Sequence, residues 1–314
     1  SGLQPGDGVG KVTRCQTAVK DYVDHLKSTV AYSLDGLHIA VDCANGSASE
    51  TAEKLFRELG ADCRFLNREP DGLNINKECG STHIDKLMDY VKQNHLDAGI
   101  AFDGDADRCL CVDDQGNLVD GDFIMAICAK DMHERGKLPK DTVVGTIMTN
   151  FGLGKFCEEN GLHFVATKVG DRFVLEEMLL EEYGFGGEQS GHVIFLDFAT
   201  TGDGQLTAIQ LLSLMRRSGK KLSELAKVMT RYPQVMINLN ISAEGKLLFY
   251  TDKEIKAAVE AAKKTLGKEG RIVVRPSGTE PLIRVMAEGS SEPLIREQAQ
   301  AVADVIQKRL GEKQ

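Results

Sequence analysis

Apolar residues fall along this chain in two alternating rhythms: short unbroken runs, and longer stretches where they recur every third or fourth position. The first rhythm marks strands buried on both faces, the second helices with one covered side. Leu37-His38-Ile39-Ala40-Val41 reads as such a strand and runs into the polar stretch Asn45-Gly46-Ser47-Ala48-Ser49. Ala52, Leu55, Phe56 and Leu59 then share one face of a helix. A helix over about 16–31 precedes this pair. A strand near 62–66, a polar loop at 70–82, a helix near 83–94 and a strand over 97–103 complete one α/β unit.

A second unit follows the turn Asp113-Asp114-Gln115-Gly116-Asn117. It holds a helix near 121–134, a strand over 142–148, a helix near 151–160, a short strand, the loop 167–172 and another helix. A glycine-rich segment at 184–191 and helices near 203–216 and 222–229 close it. Arg231-Tyr232-Pro233 breaks the pattern, and a smaller unit then runs strand, helix, strand-turn-strand, helix. The fold class is therefore α/β: two α/β/α domains with mixed, mostly parallel sheets, then a smaller α+β domain. The expected boundaries are a tail or linker at 1–15 and domains at 16–115, 116–231 and 232–314.

Composition narrows the functional classes. The 314 residues are 42% apolar and 27% charged, ordinary for a globular protein of two or three domains. No apolar run reaches the 18 or so residues of a membrane span, and the N-terminal residues do not read as a signal peptide. A net charge of −9 disfavours nonspecific nucleic-acid binding, so any positive charge aimed at phosphate must be concentrated in loops. The eight cysteines show no CxxC pair and sit mostly in apolar segments, which points to a reducing, cytoplasmic setting.

Candidate chemistry begins at Asp103-Gly104-Asp105-Ala106-Asp107-Arg108, directly after the apolar run Ala98–Phe102. Carboxylates that converge to about 5 Å repel by roughly 3 kcal/mol per pair at an effective dielectric near 20. A cation relieves this, and an all-oxygen set suits Mg²⁺ or Ca²⁺ better than zinc; a solvated acidic turn is the plainer alternative. An EF-hand needs Gly at its sixth position and Glu at its twelfth, where Arg108 and Asp114 stand. A haloacid-dehalogenase-like Asp-x-Asp is usually followed by Thr or Val, not by Ala106-Asp107. The phosphohexomutase metal loop, Asp-Gly-Asp-x-Asp-Arg, fits at every position.

Three more loops carry polar groups between glycines or prolines. Gly187-Glu188-Gln189-Ser190-Gly191-His192 can approach a polyhydroxylated ligand closely, or serve as a tight turn before the strand His192–Leu196. His192 there is either a general base or a structural imidazole. Arg275-Pro276-Ser277-Gly278-Thr279-Glu280-Pro281 combines a guanidinium, hydroxyls and turn amides, a plausible phosphate cradle or an ordinary hairpin turn; Arg284 adds a second guanidinium. Lys168 and Arg172 in Thr167–Arg172 offer further positive charge. No P-loop, dinucleotide fingerprint or His-Glu-x-x-His zinc motif is present.

In this order the four loops resemble those of the α-D-phosphohexomutase superfamily, and the detail resembles its bacterial phosphoglucosamine mutase branch. Gly72-Leu73-Asn74-Ile75-Asn76, Gly80-Ser81-Thr82-His83, Thr200-Thr201-Gly202-Asp203-Gly204 and Arg275–Gly289 carry that detail, over about residues 10 to 310. The resemblance implies interconversion of glucosamine 6-phosphate and glucosamine 1-phosphate, through a phosphoserine and glucosamine 1,6-bisphosphate, on the way to UDP-N-acetylglucosamine and cell wall. It implies Mg²⁺ on Asp103, Asp105 and Asp107, sugar hydroxyls on Glu188 and Ser190, and the non-reacting phosphate on Arg275, Ser277, Gly278, Thr279 and Arg284. His192 and Arg108 become candidates for proton transfer and loop orientation. It also implies a homodimer in the full-length protein and, in some bacteria, docking onto a membrane diadenylate cyclase.

The sequence departs from the family in two places. Ala106 stands where phosphoglucosamine mutases usually have Gly, costing about 1 kcal/mol if the position needs φ > 0. The Thr-Ala-Ser-His-Asn-Pro-like serine loop of the family's first domain has no match, so the chain reads as domains two to four of a mutase with little activity alone. A binding module that kept the ligand loops, and a phosphomannomutase/phosphoglucomutase relative, are the alternatives. Gln189, where those relatives often carry Met, weighs against the latter.

Overall fold

The computed structural model describes residues 10–277 and 280–311, and these fall into two compact units. The first comprises residues up to Leu118 together with Asp203–Leu222; the second comprises Val119–Gly202 and the residues from Ser223 on.

The first unit is built on strands β1 (His38–Asp42), β2 (Asp62–Leu66), β3 (Ala98–Phe102), β4 (Cys109–Asp113) and the two-residue β5 (Leu118–Val119), in the order β2-β1-β3-β4-β5. β1 lies parallel to β2 and β3, whereas β4 returns antiparallel to β3. All five residues of β3 are buried, as its unbroken apolar run predicts. Helices α1 (Ala18–Ser28), α2 (Ala52–Glu58) and α3 (Asp85–Gln93) flank the sheet. Gly99 lets α3 sit close, because a Cβ there would meet Val91 at 2.7 Å. The turn Asp113–Asn117 is a hairpin between β4 and β5, held by the Asp113 carboxylate accepting the Gln115 and Asn117 amides.

Helix α7 (Gly204–Ser218) belongs to this first unit, although its residues lie within the segment expected as the second domain. It packs on β3 and β4. Gln205 donates to the Thr51 hydroxyl at 2.7 Å, and Gln210 donates to the Thr29 hydroxyl at 2.8 Å.

In the second unit, β6 (Thr142–Thr146), β7 (His163–Thr167), β8 (Phe185–Gly187) and β9 (Val193–Phe195) form a sheet in the order β7-β6-β8-β9, parallel except for the hairpin β8–β9. Helices α4 (Gly121–Glu134), α5 (Phe151–Glu159) and α6 (Asp171–Leu180) accompany it. The helix expected over 222–229 is a single turn, α8 (Leu222–Leu225), continued by a tighter turn to Val228. Beyond the Pro233 break lie β10 (Gln234–Asn240), α9 (Ala243–Phe249), α10 (Lys253–Leu266), β11 (Gly270–Pro276), β12 (Leu282–Gly289) and α11 (Glu292–Leu310). Two helices stand where the pattern suggested one, because Ser242 and Asp252 each cap a fresh N-terminus. The sheet β10-β12-β11 is antiparallel, and Ile283 and Val285 pack with Val302 and Ile306 of α11 in its core.

No disulfide joins the described cysteines, all but Cys15 of which are buried, and no described helix is long and apolar enough to cross a membrane.

A buried polar network ties the two halves of the second unit together. Asp122 on α4 accepts the Asn150 amide at 2.8 Å. Asn150 caps α5 and its side chain donates to Glu288 of β12 at 3.2 Å. Glu288 also accepts from Arg271 at 2.8 Å, and Arg231 pairs with Asp120 at 2.6 Å. Burial pushes the Asp122 carboxyl up to about 8, with the neighbouring Asp120 and Glu288 charges adding to it. Between about pH 4 and 8 the folded chain therefore holds a proton that the unfolded chain releases, and stability falls by about 1 kcal/mol per pH unit as pH rises. Asp122→Asn, which stays neutral and still accepts the Asn150 amide, should raise the thermal midpoint clearly at pH 8.5 and hardly at pH 5. Equal shifts at both pH values would refute the buried proton.

Candidate functional site

In the first unit the acidic loop leaves the C-terminal end of β3, beside β1, and turns the chain back into β4. Asp103, Asp105 and Asp107 each present a carboxylate oxygen within 4.8 Å of the others. Asp103 is buried, Asp107 half-buried and Asp105 exposed. Burial, with the charges of Asp107 and Asp105 adding to it, raises the Asp103 carboxyl to about 6 against the opposing effect of the Arg108 amide, donated at 3.1 Å. The Arg108 guanidinium lies 3.8 Å from Asp103 and 3.9 Å from Asp107, so it offsets only part of this charge.

Backbone contacts from neighbouring segments also hold the loop in shape. Ala106 has φ +59°, the left-handed conformation that its family-type Gly would adopt more easily. The Ser47 amide donates to the Gly104 carbonyl at 2.9 Å, and a Cβ on Gly46 would sit 2.2 Å from that oxygen. The Ser81 amide donates to the Phe102 carbonyl at 2.8 Å. The Gly204 amide, opening α7, donates to the Ala106 carbonyl at 2.9 Å. Three convergent carboxylate oxygens fit a hard divalent ion with oxygen ligands, which makes the triplet a candidate metal site.

In the second unit, Glu188–Gly191 form the turn of the β8–β9 hairpin. The Glu188 amide donates to the His192 carbonyl at 2.9 Å, and Gly191 takes φ +94°. The Gly121 amide at the start of α4 donates to the Gln189 carbonyl at 3.0 Å. Glu188 accepts the Gly170 amide at 3.0 Å, which brings the 187–192 and 167–172 loops together. Ser190 is exposed. Lys168 lies 5.6 Å from the Phe173 ring, and exposed Arg172 pairs with Glu176 of its own helix at 2.6 Å.

His192 is 3% exposed; its Nε2 accepts the Gly202 amide at 3.0 Å and lies 4.0 Å from the Asp171 carboxylate. Gly202 has no room for a side chain, since a Cβ would lie within 2.5 Å of the imidazole.

In the same unit, Arg275 of β11 and Arg284 of β12 stand directly opposite each other. Like charges at such a pair are unfavourable unless an anion lies between them. The Nε atoms of both are buried without a hydrogen-bond partner among the described residues. They line one small cavity together with Met148, Met236, Val273 and Met286. Arg284 also pairs with Glu280. Ser277 accepts the Glu280 amide at 3.2 Å, while Gly278 and Thr279 lie outside the described residues. Sequence reasoning missed Lys246 of α9, whose ammonium donates to the Ser277 and Glu280 carbonyls at 2.5 and 2.9 Å and so brackets the loop. Nothing in its local sequence distinguishes Lys246 from a surface lysine.

Models of the phosphoglucomutase/phosphomannomutase family match throughout: α/β/α domain II over residues 20–116, α/β/α domain III over 120–232 and the C-terminal domain over 236–305. The phosphoglucosamine mutase of Clostridium acetobutylicum is 50% identical over 98% of this chain, which spans 68% of that relative's length. That of Clostridium beijerinckii is 50% identical over 97%, again with 68% of the relative covered. Among solved structures, a phosphoglucomutase/phosphomannomutase family protein from Burkholderia thailandensis superposes with a TM-score of 0.80 at 21% identity, over 93% of this chain and 64% of that one. Aspergillus fumigatus N-acetylphosphoglucosamine mutase in complex with GlcNAc-6P and magnesium does so with a TM-score of 0.75 at 21% identity, over 93% and 65%. At those identities the structures establish the fold.

The His192 geometry has a measurable cost attached. His192→Leu leaves the Gly202 amide buried without its acceptor, so chemical denaturation should show a loss of about 1–3 kcal/mol. An unchanged denaturation midpoint would mean that the imidazole does not hold the two loops together.

Proposed function

Because the chain belongs to the phosphoglucomutase/phosphomannomutase family, we propose that it forms the metal-, sugar- and phosphate-binding part of a phosphoglucosamine mutase. The reaction is the interconversion of glucosamine 6-phosphate and glucosamine 1-phosphate. One observation carries the reading: three convergent carboxylates in a chain half identical to phosphoglucosamine mutases. The three segments matched by domain models are proposed as its domains.

Asp103, Asp105 and Asp107 are the residues to hold Mg²⁺, which supplies positive charge against a phosphoryl group in transfer. Arg108 orients the loop by straddling two of those carboxylates. Arg275 and Arg284 grip the phosphate that does not react, each with an Nε–H still to be given. Ser277, Gly278 and Thr279 complete that turn in the sequence. Glu188 and Ser190 meet sugar hydroxyls, Lys168 and Arg172 add positive charge beside them, and His192 positions the loop through Gly202.

In the mutase reaction a phosphoserine gives its phosphoryl group to one sugar hydroxyl, and the resulting glucosamine 1,6-bisphosphate returns the other phosphate to the serine. No stretch of the 314 residues matches the serine loop. On this reading the chain alone binds hexosamine phosphate and does not turn it over. A cytoplasmic setting suits the abundance of buried, unbridged cysteine. Homodimerisation and docking on a diadenylate cyclase rest on the family resemblance alone.

Phosphorus NMR of glucosamine 6-phosphate with the chain, Mg²⁺ and a trace of glucosamine 1,6-bisphosphate tests this. The expected result is broadening of the substrate resonance without a glucosamine 1-phosphate signal. Arg275→Ala should weaken that binding about 10- to 100-fold, the worth of a charge-assisted contact. A growing product signal would overturn the assignment of the nucleophile to a missing serine loop. A sharp, unshifted substrate line would overturn the substrate class.

A further inference from the structure

The segment Thr200–Gly204 is part of the family resemblance, yet Asp203 has no role above and Gly204 enters only as one backbone contact on the acidic loop. Both lie in the first unit with the acidic loop. Asp203 caps α7, its Oδ1 accepting the Leu206 amide at 2.9 Å. The Tyr22 hydroxyl, from α1, donates to both carboxylate oxygens of Asp203, at 3.0 and 2.9 Å. The next residue delivers the contact: the Gly204 amide donates to the Ala106 carbonyl at 2.9 Å. A Cβ on Gly204 would come to 2.4 Å from the Arg108 carbonyl and 2.9 Å from that of Ala106. Ala106 is the loop's one left-handed residue and lies between Asp105 and Asp107.

An L-residue in that conformation gives up about 1 kcal/mol or more, so the surrounding structure must impose it. The Gly204 contact is made on the strained residue itself, and the Tyr22–Asp203 pair fixes the helix end that makes it. Clustered carboxylates bind a cation tightly only when their spacing is set beforehand, since a loose loop relaxes its repulsion by spreading.

We propose that Tyr22, Asp203 and Gly204 form a positioning device for the acidic loop, holding Ala106 left-handed and so setting the divalent-cation affinity of Asp103, Asp105 and Asp107. The inference rests on the metal reading of that triplet and goes beyond it to residues that touch no ion.

Isothermal titration of the full chain with Mn²⁺ alone separates the two. Asp105→Asn serves as the control for the site, and apo thermal midpoints are recorded in parallel. The parent should bind Mn²⁺ and Asp105→Asn should bind it at least tenfold more weakly; a parent that binds none would sink the metal reading itself. Gly204→Ala and Asp203→Ala should weaken Mn²⁺ about tenfold. Tyr22→Phe, the mildest change, should weaken it about threefold with little effect on the apo midpoint. Asp203→Asn, which caps a helix as well as Asp, should recover most of the affinity lost in Asp203→Ala. Should the parent bind while Gly204→Ala, Asp203→Ala and Tyr22→Phe keep parental Mn²⁺ affinity, whatever their midpoints, the device is merely structural and the inference fails.

Discussion

The organising constraint of the first unit is mutual repulsion among three carboxylates whose oxygens lie within 4.8 Å. The Arg108 guanidinium, nearly 4 Å from Asp103 and from Asp107, offsets only part of that repulsion. The loop is kept from opening by backbone amides brought against it from residues 47, 81 and 204. Such contacts require the absence of side chains, which explains why Gly46 and Gly204 each lie too close to a carbonyl for a Cβ. The sheet order serves the same end. β1 and β3 are neighbours, so the chain leaving β1 reaches the chain leaving β3.

The second unit meets the opposite problem. A chain with net charge −9 forms a positive patch only by gathering such charge in one place. It does so by setting Arg275 opposite Arg284 across an antiparallel pair, with methionines lining the cavity they share and Lys246 bracketing the adjoining turn. Excess negative charge at one loop and excess positive charge at another are each unfavourable in the ligand-free protein.

Much of this was legible in the sequence, for identifiable reasons. Buried parallel strands advertise themselves as apolar runs, which is why β1 and β3 were readable. The carboxylate triplet was readable because alternate residues in a short span cannot move far apart. What could not be read depends on distant partners. Tyr22 and Asp203 are 181 positions apart, and neither is unusual in its own neighbourhood. His192 stood out because imidazole titrates near neutrality; the Gly202 amide that its Nε2 accepts is brought to it only by the fold. Lys246 is one lysine among many until α9 sets it beside Ser277. The division of the residues 222–229 into a short helix and a tighter turn likewise left no mark in the apolar period.

That α7 lies with the first unit while residues 119–202 intervene has a consequence for how the chain is made. During synthesis β3 and β4 emerge well before the helix that packs on them. More than 80 residues separate Leu118 from Gly204, a delay on the order of ten seconds at ordinary elongation rates. Through that interval the nascent first unit carries an uncovered apolar sheet face and an acidic loop without its Gly204 clamp. Its native form is thus set late, by contacts of high sequence separation, and premature termination within the intervening segment yields a product that cannot complete its own core.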